Sequence, residues 1–237
     1  MSKIRIFVIV AILSTGMMSA QAQRQVTGQV KADIVSSFVW GGQNFGDVSL
    51  QPELWVAWKG LSLSAWGSVG LSNKDDSREV DLTLTYETSG LSLGIVDYWN
   101  DGNDSRYFYY EKDGTSHAFE GFIGYDFGPV RALWQTQFAG NDYQRGSDKR
   151  AYSTYIELSA PFRLATLDWN AAVGLVPWKS WLYEVSGFNL TNLSLRATKA
   201  IKITDSFSLP LSRQIVATPA SQHFFFVCGF TLNTPLF

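Results

Sequence analysis

Charged side chains recur at alternate positions along this chain, and they are the residues with the clearest capacity for chemistry. Glu79 and Asp81, for example, are separated by one apolar residue, so both project from the same face of an extended strand. We predict an inward face that collects such residues, namely Asp33, Glu53, Glu79, Asp81, Glu120, Arg131, Glu157 and Arg196. Charges enclosed on a common face need either oppositely charged partners or water. The predicted chemistry is therefore electrostatic, as the lining of a wet channel or as an internal network of ion pairs.

Nucleophilic catalysis finds little support in the sequence. The chain has 2 histidines. Ser116 precedes His117, and Ser221 lies two residues before His223. A catalytic serine needs a base within hydrogen-bond reach, and isolated serines and histidines in loops are usually solvated. We predict no catalytic residue, and an enzyme that modifies outer-membrane lipids is the least favoured interpretation.

The residue pattern also predicts no cofactor and no metal. The sequence has no cluster of His and Cys at the spacing of metal ligands and no glycine-rich phosphate loop. Its 19 basic and 21 acidic residues nearly balance, so no electrostatic attraction to nucleic acid is expected. The single cysteine, Cys228, cannot form an internal disulfide.

The elements that position the charged residues are predicted to be β-strands. From residue 30 to residue 40 the apolar residues fall at every second position, with Phe38 and Trp40 in phase with Ile34. A period of two residues is typical of a strand with one apolar face. The same period predicts strands at residues 30–40, 48–59, 61–71, 79–87, 91–99, 119–127, 130–139, 152–160, 167–175, 193–202, 207–218 and 224–232.

The connections between these strands alternate in length. Tight turns are predicted at Lys59-Gly60, Ser89-Gly90 and Gly128-Pro129, with a compact turn around residues 161–163. Long polar segments at residues 73–78, 100–116, 140–150 and 177–187 join the other strands. This pattern is typical of a transmembrane up-and-down antiparallel β-barrel, whose short turns and termini lie in the periplasm and whose long loops lie outside. We therefore predict an all-β barrel of about twelve strands.

The first residues resemble an export signal. Lys3 and Arg5 precede an apolar run at residues 6–13, and Ala20-Gln21-Ala22 supplies small residues for cleavage. We predict a signal peptide at residues 1–22 and a barrel domain at residues 23–237 of a protein in the outer membrane of a Gram-negative bacterium. No later run reaches the ~18 apolar residues of a membrane helix. Besides the helix, a closed β-barrel is the structure that can satisfy all its backbone hydrogen bonds in lipid.

Aromatic residues are expected to form two girdles where the strands cross the membrane interfaces. The residues beside the tight turns are Trp58, Tyr86, Phe127 and Phe207. The residues beside the long loops are Trp40, Trp99, Tyr152 and Trp178. A secreted soluble β-sandwich is the alternative fold, because it alternates in the same way but buries its apolar face.

Two places depart from the regular pattern. Arg213 is in phase with Leu211 and Ile215, which would aim it at lipid at a cost of about 2–4 kcal/mol. A β-bulge near Pro210 would turn Arg213 inward, so the sequence leaves the orientation of Arg213 open. The segment Asn233-Thr234-Pro235 is expected to interrupt the alternation of the last strand.

Several segments resemble the TorF-type family of bacterial outer-membrane porins, whose function is unknown. They are Asp33 to Gln43, Gln51-Pro52, Ala65 to Ser68, Glu79 to Thr83 and Lys202 to Pro210. These motifs mark strands and turns and carry no chemistry. Relatives commonly have Arg between the Trp and Gly of the first motif, whereas this chain has Gly41, so a role for that basic residue does not transfer. The resemblance implies a barrel and a channel function without naming a solute.

The preferred functional interpretation is a porin-like channel for passive diffusion. The acidic excess on the inward face favours small cations and neutral polar solutes over anions, and the expected contacts are outer-membrane lipid, small polar solutes and ions. A barrel of about twelve strands lies between those filled by side chains and those with wide pores. The alternative is therefore a closed structural or adhesion barrel with an ion-pair-filled interior, which would use the aromatic outer loops at residues 107–110 and 178–183.

Overall fold

The computed structural model describes residues 26–73, 76, 78–101, 106–111, 114–205 and 207–236. The predicted signal peptide at residues 1–22 lies outside these residues. Within the described part of the chain, no helix is long and apolar enough to cross a lipid bilayer.

The described residues form an all-β structure. Its strands are β1 (Val26–Val35), β2 (Phe38–Trp40), β3 (Gln43–Gly46), β4 (Ser49–Trp58), β5 (Leu61–Gly70), β6 (Glu79–Thr88), β7 (Leu91–Asn100), β8 (His117–Asp126), β9 (Arg131–Gly140), β10 (Thr154–Leu164), β11 (Leu167–Val176), β12 (Asn189–Lys202), β13 (Ser208–Thr218) and β14 (His223–Pro235).

Closure of the sheet on itself is the main feature of the fold. β1 pairs antiparallel with β4 on one side and with β14 on the other, and β4 to β14 pair in chain order between them. The resulting transmembrane barrel has 12 strands, as predicted, while β2 and β3 pair only with each other. We call its two ends the long-loop end and the short-turn end. The first residue of β1, Val26, and the last residue of β14, Pro235, lie at the short-turn end.

The exterior of the barrel is apolar. Leu63 is 58% exposed and Phe226 is 69% exposed, and large apolar side chains at alternate positions of every barrel strand follow the same pattern. A β-sandwich would bury this face against a second sheet. Here the apolar face is exposed on the outside of the barrel, where lipid hydrocarbon would contact it. The predicted alternation is confirmed, and the β-sandwich is excluded because the apolar face is not buried against a second sheet.

The tight turns follow from backbone conformation. Lys59-Gly60 and Ser89-Gly90 both have two residues at positive φ, as a two-residue hairpin turn requires. The predicted turn around residues 161–163 is wrong, because β10 continues to Leu164 and the turn lies at Ala165-Thr166. Pro161 fits in the strand because it lies beyond Ser159, the last β10 residue that pairs with β9.

The predicted strand at residues 30–40 is wrong in its second half. β1 ends at Val35, and β2 folds back on β3 as a separate hairpin through Gly41-Gly42, both at positive φ. A Cβ at Gly42 would lie 1.7 Å from the carbonyl oxygen of Thr191, so only glycine lets the hairpin tip approach this wall. Trp40 consequently lies inside the barrel and does not belong to the outer aromatic girdle.

The strands near the C-terminus pair regularly. β12 and β13 pair without a bulge from Leu193 to Lys202, so Arg213 stays between Leu211 and Ile215 on the exposed outer face. β14 continues to Pro235 because closure supplies β1 as a pairing partner as far as Gln29. Regular pairing on both sides therefore outweighs the local cost of the outward arginine.

We expect Arg213→Leu to stabilise the protein in lipid. The substitution removes an outward charge near the middle of β13, which should raise the free energy of unfolding by about 2–4 kcal/mol. The measurement is urea unfolding of protein refolded into phospholipid vesicles. Arg196→Leu is the matched control, because Arg196 lies on the inward face and should give no gain. An equal gain in both variants would contradict the assigned register.

Candidate functional site in the barrel interior

The residues predicted to face inward all lie on inward positions of the barrel strands. Along each strand, these residues alternate with the exposed apolar residues of the outer face. Residues paired across neighbouring strands share a face, and Glu53 accordingly lies opposite Lys31 on β1 and Trp66 on β5. Glu79 and Asp81 lie near the long-loop end, and Arg131 begins β9 at the short-turn end. The inward charges are therefore distributed along the depth of the barrel.

Few of these charges form ion pairs. Lys31 Nζ lies 2.7 Å from Glu53 Oε2 and 3.3 Å from Asp33 Oδ2, and Arg131 Nε lies 3.0 Å from Asp126 Oδ2. The remaining predicted residues, which form no ion pair with any described residue, are Glu79, Asp81, Glu120, Glu157 and Arg196. An ion-pair network accordingly does not fill the described interior.

The β2–β3 hairpin occupies the interior at the long-loop end. The ring of Phe38 lies 5.4 Å from that of Trp66. Across the barrel, Thr218 Oγ1 donates a 2.5 Å hydrogen bond to the carbonyl oxygen of Gly42. The hairpin therefore spans the interior from β5 to β13 and narrows it.

Four aromatic side chains, Trp40, Tyr98, Tyr155 and Tyr183, form what we call the aromatic layer. The ring of Trp40 lies 6.5 Å from that of Tyr98, 5.8 Å from that of Tyr155 and 5.9 Å from that of Tyr183. Tyr183 comes from the loop between β11 and β12, and burial raises its pKa well above the usual value. The layer joins the hairpin, β7, β10 and this loop into one packed unit.

Hydrogen bonds orient the phenols of the aromatic layer toward carboxylates. Tyr98 Oη donates a 2.8 Å hydrogen bond to Glu120 Oε1, and Tyr155 Oη donates a 2.7 Å bond to Glu157 Oε2. Asn192 Nδ2 donates to Tyr155 Oη at 3.0 Å. Glu120 is 1% exposed, so its Tyr98 bond offsets part of the cost of burial. These bonds fix the layer near the long-loop end, where β7 ends and β10 begins.

A cavity of about 440 Å³, the central cavity, remains between the hairpin and the wall formed by β5 to β9. Its aromatic lining consists of Phe38, Trp40, Phe45, Trp66 and Tyr98. Glu79 and Asp81 supply its carboxylates, and no lysine or arginine is among the described residues that line it. Asp81 Oδ1 is buried and has no hydrogen-bond partner in the described part of the chain. The cavity thus combines aromatic faces with uncompensated acidic groups.

Further space lies on both sides of the central cavity. A cavity of about 640 Å³ among the long loops shares Gln137, Asn141 and Leu182 with it. Another cavity of about 570 Å³ lies at the short-turn end, where Arg131 and Glu157 line it. The central cavity therefore adjoins the space among the long loops, whereas the described residues that line it do not overlap with those of the cavity at the short-turn end.

His117 lies outside this interior and forms a different kind of site. Its Nδ1 lies 2.7 Å from Asp97 Oδ1, its Nε2 lies 2.5 Å from the carbonyl oxygen of Tyr107, and the ring of Tyr110 stacks on it at 4.1 Å. Ser116 instead lines the central cavity. Because both ring nitrogens contact oxygen atoms of this chain, neither faces a possible substrate, and the pair serves to hold the outer loop.

The second histidine and the carboxylates give no further chemical constellation. His223 and Ser221 are both exposed, and the ring of His223 lies 6.0 Å from that of Phe225. Across the described residues, no group of three or more His, Cys, Asp or Glu side chains is arranged to hold a metal ion.

Sequence reasoning missed the aromatic hairpin. The alternation of residues 30–40 runs through Ser36-Ser37 without a break, which hides the end of β1. Gly41-Gly42 between two short runs was the available signal, since such a pair favours a tight hairpin turn. No local pattern marks its inward direction, which depends on contacts with β5, β12 and β13.

No protein-family profile and no curated protein matches this chain. Among solved structures, it is similar to an outer membrane channel from Pseudomonas putida F1, at 12% sequence identity and a TM-score of 0.41, over 90% of this chain and 95% of that chain. It is also similar to OmpF from Salmonella typhi in complex with daunomycin, at 9% identity and a TM-score of 0.39, over 88% of this chain and 97% of that chain. The barrel assignment depends on the strand pairing of this chain and not on these weak similarities.

We expect His117→Phe to destabilise the protein by about 3 kcal/mol, because it leaves the Asp97 carboxylate on the outer face without its partner. The measurement is urea unfolding in detergent micelles. Adding Asp97→Asn should recover most of the loss, and His223→Phe should change stability by less than about 0.5 kcal/mol. Equal effects of the two histidine substitutions would show that the His117 pair is not stabilising.

Proposed function

We propose that this protein is an outer-membrane channel for passive diffusion of small polar solutes, with a weak preference for cations. The observation that carries the proposal is a closed barrel with an apolar exterior and an interior that holds cavities and unpaired carboxylates. We also propose that residues 1–22 direct its export and that the host is a Gram-negative bacterium, since closed barrels of this kind belong to outer membranes.

The hairpin is proposed to set the size of the pore. Phe38, Trp40 and Phe45 enter the interior at the long-loop end, where Tyr183 packs against Trp40. The central cavity of about 440 Å³ is the unfilled space that lies beside the hairpin. A solute would therefore pass beside the hairpin, and conductance should be small for a barrel of 12 strands.

The proposed cation preference comes from the position of the unpaired charges. Glu79 and Asp81 line the central cavity, whereas Arg131 lies at the short-turn end in an ion pair with Asp126. A ring or cluster of carboxylates at the narrow part of a pore raises the local concentration of cations. Selectivity should then depend on the carboxylates at the cavity more than on charges at the rim.

A closed structural barrel is the second candidate function. Tyr155 and Tyr183 are each 3% exposed, so the aromatic layer excludes water over part of the cross-section. The interior would then be filled by aromatic side chains and not by the ion pairs predicted from the sequence. An adhesion role has less support, because Tyr107 and Tyr110 pack on His117 and Tyr183 is buried in the layer.

We expect that replacing residues 38–46 by a short Gly-Ser linker raises single-channel conductance at least about twofold, since it empties the long-loop half of the interior. The measurement is current through planar bilayers, after folding is verified by the mobility of unboiled protein on gels. Phe226→Leu, at a 69% exposed position on the outer face, is the control and should leave conductance near the wild-type value. If neither wild type nor the hairpin variant conducts, the closed barrel is the correct candidate.

We expect the double substitution Glu79→Gln and Asp81→Asn to lower the cation-to-anion permeability ratio by about twofold or more, because it removes both carboxylates of the central cavity. The measurement is the reversal potential under a salt gradient. Asp168→Asn removes one charge at the exposed rim, where the Asp168 side chain is 74% exposed, and should change the ratio little. A larger change from the rim variant would place the selective step at the short-turn end.

A further inference from the structure

We propose that the central cavity binds small organic ammonium ions with an apolar or aromatic body. The inference deepens the proposed channel function, on which it rests for the passage of the ligand. Binding itself requires only the folded barrel and can be measured in detergent. Three features of the cavity lead to this ligand class: its aromatic walls, its unpaired carboxylates and its access from the long loops.

The aromatic walls suit a weakly hydrated cation. Trp40, Phe38 and Phe45 come from the hairpin, and Trp66 faces them from β5. The negative face of an aromatic ring attracts a cation, most strongly for tryptophan and most effectively away from water. The same rings bury apolar surface of the ligand. A cation with an organic body gains from both effects, whereas a hydrated sodium ion gains from neither.

The acidic groups select for positive charge. Glu79 and Asp81 are two residues apart on β6 and project into the cavity on the same side. Asp81 Oδ1 is buried without a hydrogen-bond partner among the described residues, which is costly unless a ligand supplies the missing interaction. No described lysine or arginine lines the cavity to neutralise either group. An ammonium ion would provide the absent counter-charge.

Competing ligand classes fit less well. Hard metal ions need several oxygen ligands around one point, and no such group of acidic side chains occurs in the described residues. An anion would meet two carboxylates without a basic partner. A neutral polar molecule could stack on the rings but would bring no positive charge to Glu79 and Asp81. The volume of about 440 Å³ lies in the lower part of the range for small-molecule sites.

The cavity can be reached from the long-loop end. It shares Gln137, Asn141 and Leu182 with the cavity of about 640 Å³ among the long loops, which Trp181 also lines. On the opposite side lies the buried Glu120, which accepts a hydrogen bond from Tyr98 of the cavity lining. A ligand arriving from the long loops would therefore stop at the central cavity before crossing further.

The test is titration calorimetry of the full-length folded protein in a non-ionic detergent. The probes are benzyltrimethylammonium, the neutral benzyl alcohol and the anionic benzenesulfonate. We expect saturable binding of benzyltrimethylammonium at one site per chain, and at least about tenfold weaker binding of the other two probes. Equal affinity for benzyl alcohol, or no saturable binding of the cation to folded protein, would overturn the proposal.

Variants locate the site. The double substitution Glu79→Gln and Asp81→Asn should weaken binding of benzyltrimethylammonium by about tenfold or more, and Trp66→Leu should weaken it severalfold. Asp168→Asn, far from the cavity, should leave the affinity unchanged. An unchanged affinity in the double variant, with folding verified by circular dichroism and gel mobility, would overturn the assignment to this cavity.

Bilayer recordings separate this proposal from the channel function. Cation binding by a protein that passes no current would refute the channel and support the site. Current without cation binding would support the channel and refute the site.

Discussion

The structure depends on one constraint, which is that every backbone hydrogen-bonding group in hydrocarbon must find its partner within the protein. Pairing of β1 with β14 meets this constraint by removing both sheet edges. In the closed barrel, successive side chains of each strand point alternately toward the lipid and toward the interior. Closure also outweighs local preferences, keeping Pro235 in β14 and Arg213 on the outer face.

Closure creates a second requirement, because a barrel of 12 strands is wider than its own inward side chains can fill. The β2–β3 hairpin occupies part of that width at the long-loop end, together with Tyr183 from the loop between β11 and β12. Aromatic rings suit this position because they fill a large volume at small conformational cost. What they leave open is the central cavity, so the shape of the site follows from incomplete filling.

Charges are managed differently on the two faces. On the outer face, Asp97 and His117 form a pair that the loop carrying Tyr107 covers, which removes exposed charge from the barrel wall. In the interior, Glu79 and Asp81 lie beside aromatic rings without a basic partner among the described residues. A polar interior tolerates such charges where water or a cationic ligand reaches them. The functional proposals depend on this difference between the faces.

The sequence by itself determined the strands and their faces, because a period of two residues is a local property that each segment carries alone. It also placed residues such as Glu53 and Glu120 on the inward face and Lys59-Gly60 in a tight turn. Only the tertiary structure decided that Trp40 enters the barrel, because the approach of Gly42 to Thr191 joins segments about 150 residues apart. The central cavity likewise exists only once β5 to β9 and the hairpin come together, and no single segment encodes that juxtaposition.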